Sequence, residues 1–301
     1  MKHMVSALAA LLLLAACRET VNTRLDIDQP FSLFGMMNPK SDTHAVRLFE
    51  IKSNIALVRP EPLDAIVSTT NLDTGVRTIW EDSVVTLEDG DYRHVFWAVF
   101  EANGGETYRL EVLRSDGATT AAVTTVPHPV VLEPLEPDTL RPAEALMPLL
   151  IRGSPPALPR IDVEYILVGF SEGGSNPIFK PLLFNYVGEP SPVPDGFLLE
   201  VDLIRDYNEI YRAFNEDNSV TTDIIDLRQI NVTVHVGDQS WVSPIGVFDP
   251  DYLVEPGSFS NVENGFGYFG SGFTESVTFR PPLALIRRAG FYVLGESGAE
   301  S

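Results

Sequence analysis

The chain has 301 residues, with 21 Lys plus Arg against 42 Asp plus Glu and a net charge of -21. Such a surface repels nucleic-acid phosphates and anionic headgroups, so no nucleic-acid partner is expected. A single cysteine rules out an intramolecular disulfide, and packing must hold the fold.

That cysteine, Cys17, ends the apolar run that starts at Val5. Lys2 and His3 precede the run, and Ala15 and Ala16 stand just before Cys17. A basic start, a short apolar stretch and small residues mark a secretory signal. Leu14-Ala15-Ala16-Cys17 also has the form of a bacterial lipobox. Residues 1–16 are therefore read as a lipoprotein signal peptide, with Cys17 as the lipidation site. The run is too short to span a bilayer, which needs about 20 apolar residues. Arg18, where an acidic residue would favour retention at the inner membrane, points to the outer membrane, with the body facing the periplasm or the cell surface. The membrane partner is then reached through the N-terminal lipid, and more than one acyl chain gives stable anchoring. Residues 17–44 are polar and irregular, with Thr20, Asn22, Pro30, Asn38 and Pro39, and read as a lipidated tether.

From Cys17 onward about 285 residues remain, enough for roughly two domains by the usual size range. Residues 45–126 read as short strands. Val46 to Ile51, Leu63 to Ser68, Val76 to Trp80, Ser83 to Leu87, Tyr92 to Phe100, Tyr108 to Leu113 and Thr119 to Val126 are the candidates. Turn residues separate them: Asn71 to Gly75, Glu88 to Asp91, Gly104-Gly105 and Asp116-Gly117. The spacing predicts a sandwich of the immunoglobulin or transthyretin type.

Residues 127–160 carry nine prolines and read as an extended strap. Leu146, Leu149, Leu150 and Ile151 are too apolar for a free linker, so the strap is expected to lie on the domains.

Residues 161–294 read as a larger β-rich domain, followed by a tail at 295–301. Ile161 to Val168, Leu182 to Val187, Phe197 to Leu203 and Ile230 to Val236 read as strands. Tyr207, Ile210, Tyr211 and Phe214 share one face of a short helix. The fold class is thus mainly β, with an N-terminal sandwich, a larger β-rich domain and one short helix.

Three patterns bear on chemistry. Gly169-Phe-Ser171-Glu-Gly173 satisfies G-x-S-x-G, which would make Ser171 a serine-hydrolase nucleophile with His235 as its base. A nucleophile elbow needs a helix directly after the turn, and Gly174 to Pro177 is a poor helix start. Gly265 to Gly270 satisfies G-x-G-x-x-G, but a dinucleotide site needs a strand before it and a helix after it. Neither is present, so the glycines read as structural, and Phe266, Tyr268 and Phe269 are candidates for core packing or for an aromatic ligand platform. The acidic groups at Glu88, Asp89, Asp91, Asp217, Asp249 and Asp251 lack the full calcium-loop spacing. His44, His94, His128 and His235 show no paired spacing, so no metal or cofactor is expected.

Ser260-Asn-Val-Glu-Asn-Gly-Phe-Gly-Tyr-Phe-Gly-Ser271 resembles the closing motif of a family of uncharacterised outer-membrane lipoproteins best known from Bacteroidetes. The lipobox, Thr125-Val126-Pro127 and the Phe170 to Asn176 loop are similar to segments of the same family, and the long proline strap departs from it. The resemblance implies a β-sandwich followed by a β-rich domain on a lipid anchor. It also implies a TonB-dependent transporter as a partner. It implies no established activity. With no convincing catalytic pattern in the residues, a non-enzymatic binding or accessory role in the cell envelope is expected, the alternative being a secreted serine hydrolase that uses Ser171.

Overall fold

The computed structural model describes residues 30–51, 61–86, 88, 90, 92–138, 143–171, 177–186, 188–216, 222–241 and 260–293. The chain is mainly β, as its short alternating runs predict.

The first eight strands are β1 (Phe31–Met37), β2 (Thr43–Glu50), β3 (Ile66–Asn71), β4 (Arg77–Ile79), β5 (Glu81–Thr86), β6 (Tyr92–Val99), β7 (Thr107–Leu113) and β8 (Thr119–Thr125). The alternation in β7 is representative. Tyr108, Leu110 and Val112 are buried while their neighbours are half-buried. Side chains two apart share a face, so one face of each strand can supply a core. β1, β2, β6 and β5 lie side by side, and β8, β7, β3 and β4 form a facing sheet. Between them lies a core that includes Leu33, Leu48, Val67, Trp80, Phe96 and Leu110.

The second half contains β9 (Val131–Pro134), β10 (Leu146–Arg152), β11 (Ala157–Ser171), β12 (Ile178–Asn185), β13 (Ser191–Val193), β14 (Gly196–Asp202) and helix α1 (Leu203–Asn215). It continues with β15 (Thr222–Gly237), a 3-10 turn at Gln239–Trp241, β16 (Val262–Glu263), β17 (Gly265–Phe279) and helix α2 (Leu283–Ala289). A sheet in the order β13-β14-β10-β9 packs with β11 and β15 around a second core that includes Ile151, Val163, Leu199 and Val232.

One strand joins the two halves. Residues Gly265 to Ser271 of β17 pair in parallel with β1, from Phe31 opposite Gly265 to Met37 opposite Ser271. Residues Gly272 to Phe279 pair antiparallel with β15. The result is a continuous eight-stranded sheet, β12-β11-β15-β17-β1-β2-β6-β5. β16 adds to β8 at the edge of the facing sheet.

Three expectations change. Residues 30–44 are not a tether, because β1 is an interior strand and His44 is buried in β2. β1 holds Phe31, Leu33 and Met37 inward, an alternation hidden by the polar residues around it. Residues 127–160 are not a strap lying on the domains. β10 is a core strand whose Leu149 and Ile151 are fully buried, and Pro148 and Pro159 sit inside strands. The helix runs over Leu203–Asn215 rather than 207–214, and its buried residues are Leu203, Asp206, Ile210 and Phe214. Asp202 caps it by accepting from the Ile204 and Arg205 amides at 3.1 and 3.0 Å. A second helix, α2, ends at Gly290, whose φ is 106°.

The glycines of β17 are needed for this seam. Gly267 has φ 105°, and a Cβ there would sit 2.0 Å from the Leu33 carbonyl oxygen. A Cβ at Gly265 would sit 2.6 Å from the Phe31 oxygen. Gly267→Val is expected to cost about 3 kcal/mol from backbone strain and overpacking together. A urea melt beside the wild type checks this, and an unchanged midpoint would contradict it.

A buried polar knot fixes the same seam. Asp238, just after β15, is almost fully buried. Its Oδ2 accepts from the Thr124 hydroxyl of β8 and from the Ser271 amide of β17 at 3.0 Å. Its Oδ1 accepts from the Ser240 amide at 2.8 Å. Trp241 Nε1 donates to the Ser271 carbonyl at 3.1 Å. Both carboxylate oxygens accept, so an amide in their place must turn a donor toward a donor. Asp238→Asn should lose about 2 kcal/mol or more, the cost of buried groups left unsatisfied. The urea midpoint of that variant is the measurement, and equality with the wild type would deny the knot its role.

Candidate functional site

Along the core face of β3 the inward residues run Val67, Thr69, Asn71. Along β7 they run Val112, Leu110, Tyr108, opposite Val67, Thr69 and Asn71 in register. The interior of the N-terminal sandwich therefore turns from apolar to polar toward one end. At that end lies a cleft of about 260 Å³. Thr69, Asn71 and Thr78 line it from the β3–β4 hairpin, Phe100 and Asn103 from the segment after β6, and Glu106 and Tyr108 from the start of β7.

Glu106 is the centre of its hydrogen bonding. Its Oε2 accepts from Tyr108 Oη at 2.7 Å, from Asn71 Nδ2 at 2.8 Å and from Asn103 Nδ2 at 3.0 Å. The Tyr108 hydroxyl first, then the Asn103 amide, and least the Asn71 amide hold the carboxyl below its ordinary range, against an opposing effect of burial. Asn71 is itself fixed, because its Oδ1 accepts from the Asp73 and Thr74 amides at 3.0 and 3.1 Å. Phe100 packs against His44 with ring centroids 4.6 Å apart, and meets Trp80 and Tyr108 at 6.1 and 6.0 Å. The cleft thus has a rigid floor, an ionised carboxylate and an aromatic wall.

A second polar cluster lies deep in the larger core. Tyr165 and Tyr186 donate to Asp206 Oδ2 at 2.6 and 2.5 Å, and Arg205 Nε donates to Oδ1 at 3.1 Å. Burial pushes the Asp206 carboxyl up, while the two phenols and the guanidinium pull it down. Arg205 stacks over Tyr186 at 4.4 Å and reaches Glu189 at 3.1 Å. Tyr165, Tyr186 and Asp206 are all buried, so the network is closed to ligands.

The residues singled out by sequence fall elsewhere. Ser171 ends β11 and pairs with Thr222, and the chain returns as β12, with Gly169 opposite Ile178. This is strand–connection–strand, not the strand–turn–helix of a nucleophile elbow. His235 pairs with Arg160 on the same ladder, eleven residues along β11 from Ser171. At about 3.3 Å per residue the two lie about 35 Å apart and cannot act as a dyad. Gly265 to Gly270 spends its backbone on pairing with β1 rather than on a phosphate. Phe269 is fully buried in the sandwich core. Tyr268 is buried edge-on to Trp241 at 5.2 Å, and Phe266 is half-buried, so the three rings do not offer an open platform.

Among the described residues, no three His, Cys, Asp or Glu side chains come close enough to hold a metal ion. Cys17, Asp89, Asp91, Asp217, Asp249 and Asp251 lie outside the described residues. Asn71, Asn103 and Glu106 escaped the sequence reading. The available signal was the pair of polar residues, Thr69 and Asn71, at alternate positions of a strand. A scan of protein-family models finds no match for this chain, and a search of curated proteins finds none.

His44 adds a pH dependence next to the cleft. It is buried, its Nε2 lies 3.1 Å from the Phe100 carbonyl and its Nδ1 has no partner. Burial lowers its pKa below the ordinary 6.5, more than the Phe100 carbonyl and the nearby Asp42 raise it. As pH falls through 6.5 the unfolded chain therefore takes a proton that the folded chain refuses, and stability drops until the lowered folded pKa is passed. The urea midpoint should fall between pH 7 and pH 5 in the wild type and fall less in His44→Gln. Equal slopes would assign the acid sensitivity elsewhere.

Proposed function

We propose that this chain is an exported lipoprotein of the cell envelope, anchored through Cys17, whose β-rich body has a non-enzymatic binding or accessory role. The observation that carries this reading is the lipobox Leu14 to Cys17 behind a short apolar run. Several features support it. The folded body needs no disulfide, and no helix among the described residues is long and apolar enough to cross a membrane. The resemblance of the Ser260 to Ser271 segment to outer-membrane lipoproteins favours the outer membrane and a TonB-dependent transporter as neighbour. The polar cleft described above sits on rigid strands and suits binding by a preformed site. The Ser171–His235 separation gives a hydrolase reading no support.

The test is fractionation of Cys17→Ser. The variant should leave the membrane fraction or accumulate as an unprocessed precursor. Wild-type fractionation and migration would overturn the anchor.

A further inference from the structure

We propose that the cleft at the open end of the N-terminal sandwich binds a protonated amine, with Glu106 Oε1 as its ionic acceptor. The inference deepens the binding role proposed above and is independent of the lipid anchor.

The geometry of Glu106 carries it. All three donors converge on Oε2, which leaves Oε1 as the acceptor for an incoming group. Tyr108 in turn accepts from the Asn103 amide at 3.1 Å, so the carboxylate is held from two sides. A side chain restrained in this way loses little further entropy when a ligand arrives.

Charge selects the ligand class. Glu101 and Glu106 both line the cleft, and among the described residues no Lys, Arg or His does. The nearest wall offers no positive charge, and the whole chain carries -21. An anion is therefore repelled. A neutral polyol could use the Thr69, Thr78 and Asn103 polar groups but would leave the carboxylate without a counter-charge. A cation gains both the charge-assisted hydrogen bond and contact with the Phe100 wall. A volume of about 260 Å³ suits a small ligand or one side chain rather than a large molecule. The shared chemistry is a primary ammonium group on a short apolar or hydroxylated stem. Polyamines, lysine side chains and amino sugars all present it.

The experiment is calorimetric titration of the full chain in non-ionic detergent. The probes are 1,4-diaminobutane, Nα-acetyl-lysine amide and glucosamine, with 1,4-butanediol and glucose as neutral controls. At least one amine should bind, and its neutral counterpart should bind at least tenfold more weakly. The amine that binds best identifies the source. Raising the salt concentration should weaken binding, since the contact is ionic. Glu106→Gln should reduce affinity at least tenfold. Thr78→Arg is a second variant that leaves Glu106 in place and fills the cleft with a tethered cation, and it should abolish binding. Absence of amine binding at millimolar concentration would overturn the inference. So would equal affinity for neutral controls, or binding retained in both variants. Binding of glucose but not of amines would refute the ligand class while leaving a binding role intact, and none of these outcomes bears on the Cys17 anchor.

Discussion

The parallel pairing of β1 with β17 is the contact on which the rest of this structure depends. It brings residue 31 beside residue 265 and places one fifteen-residue strand in both halves of the molecule. Closing so long a loop costs entropy, although each doubling of loop length adds only about 0.6 kcal/mol. The pairing must then be repaid by what it organises. It completes the first sandwich with Phe269, and it delivers Ser271 to the Asp238 knot. It also sets the frame in which β15 and β11 build the larger core. Close backbone approach at Gly265 and Gly267 is the condition for all three. The G-x-G-x-x-G pattern thus has a mechanical reason: side chains at Gly265 and Gly267 would collide with the carbonyls of β1, and one at Gly270 with the Tyr268 ring.

Three hydrogen-bonded carboxylates, Asp238, Asp206 and Glu106, divide into two kinds. Asp238 and Asp206 use both carboxylate oxygens on donors within the chain. They are enclosed, and their value lies in fixing how elements meet, since a satisfied buried network admits few alternatives. Glu106 is different because its donors all use one oxygen and its surroundings open to solvent through the cleft. Closed networks lock the seam and the helix; the open one is equipped to accept something from outside. Burial and donor count, rather than residue type, separate the two roles.

His44 links these regions. Its ring rests on Phe100, which walls the cleft, and its strand β2 is the neighbour of β1 in the central sheet. An uncharged imidazole is therefore part of the same packing that supports both the seam and the cleft floor. Asp82 plays a comparable part for His94, whose Nδ1 lies 3.1 Å away across the β5–β6 pair. His44 and His94 are buried in separate places of the sandwich rather than converging on one centre.

Much of the β character was legible because alternation and turn residues are local. β7 alternates in sequence as it does in space, and Asn71 to Gly75 and Asp116-Gly117 turn where their composition says. α2 had readable ends, with Pro282 before it and Gly290 after it, but seven residues give little periodicity to detect. What needed the tertiary structure was every decision about partners. β1 looked like tether because its turn-rich surroundings masked three inward residues, and only β17 gives it a neighbour on one side. β10 looked like strap because proline density outweighed a short apolar run. Asp206 could not be placed inside the core from sequence, since its burial depends on Tyr165 and Tyr186 arriving from outside its helix. The Glu106 cleft is a partial case: Asn103 and Tyr108 are its neighbours in sequence, but only the pairing of β3 with β7 brings Asn71 to them. Sequence determined the local conformations, because those depend on neighbours along the chain. Tertiary structure alone decided the seam, the knots and the cleft, because they depend on residues brought together across it.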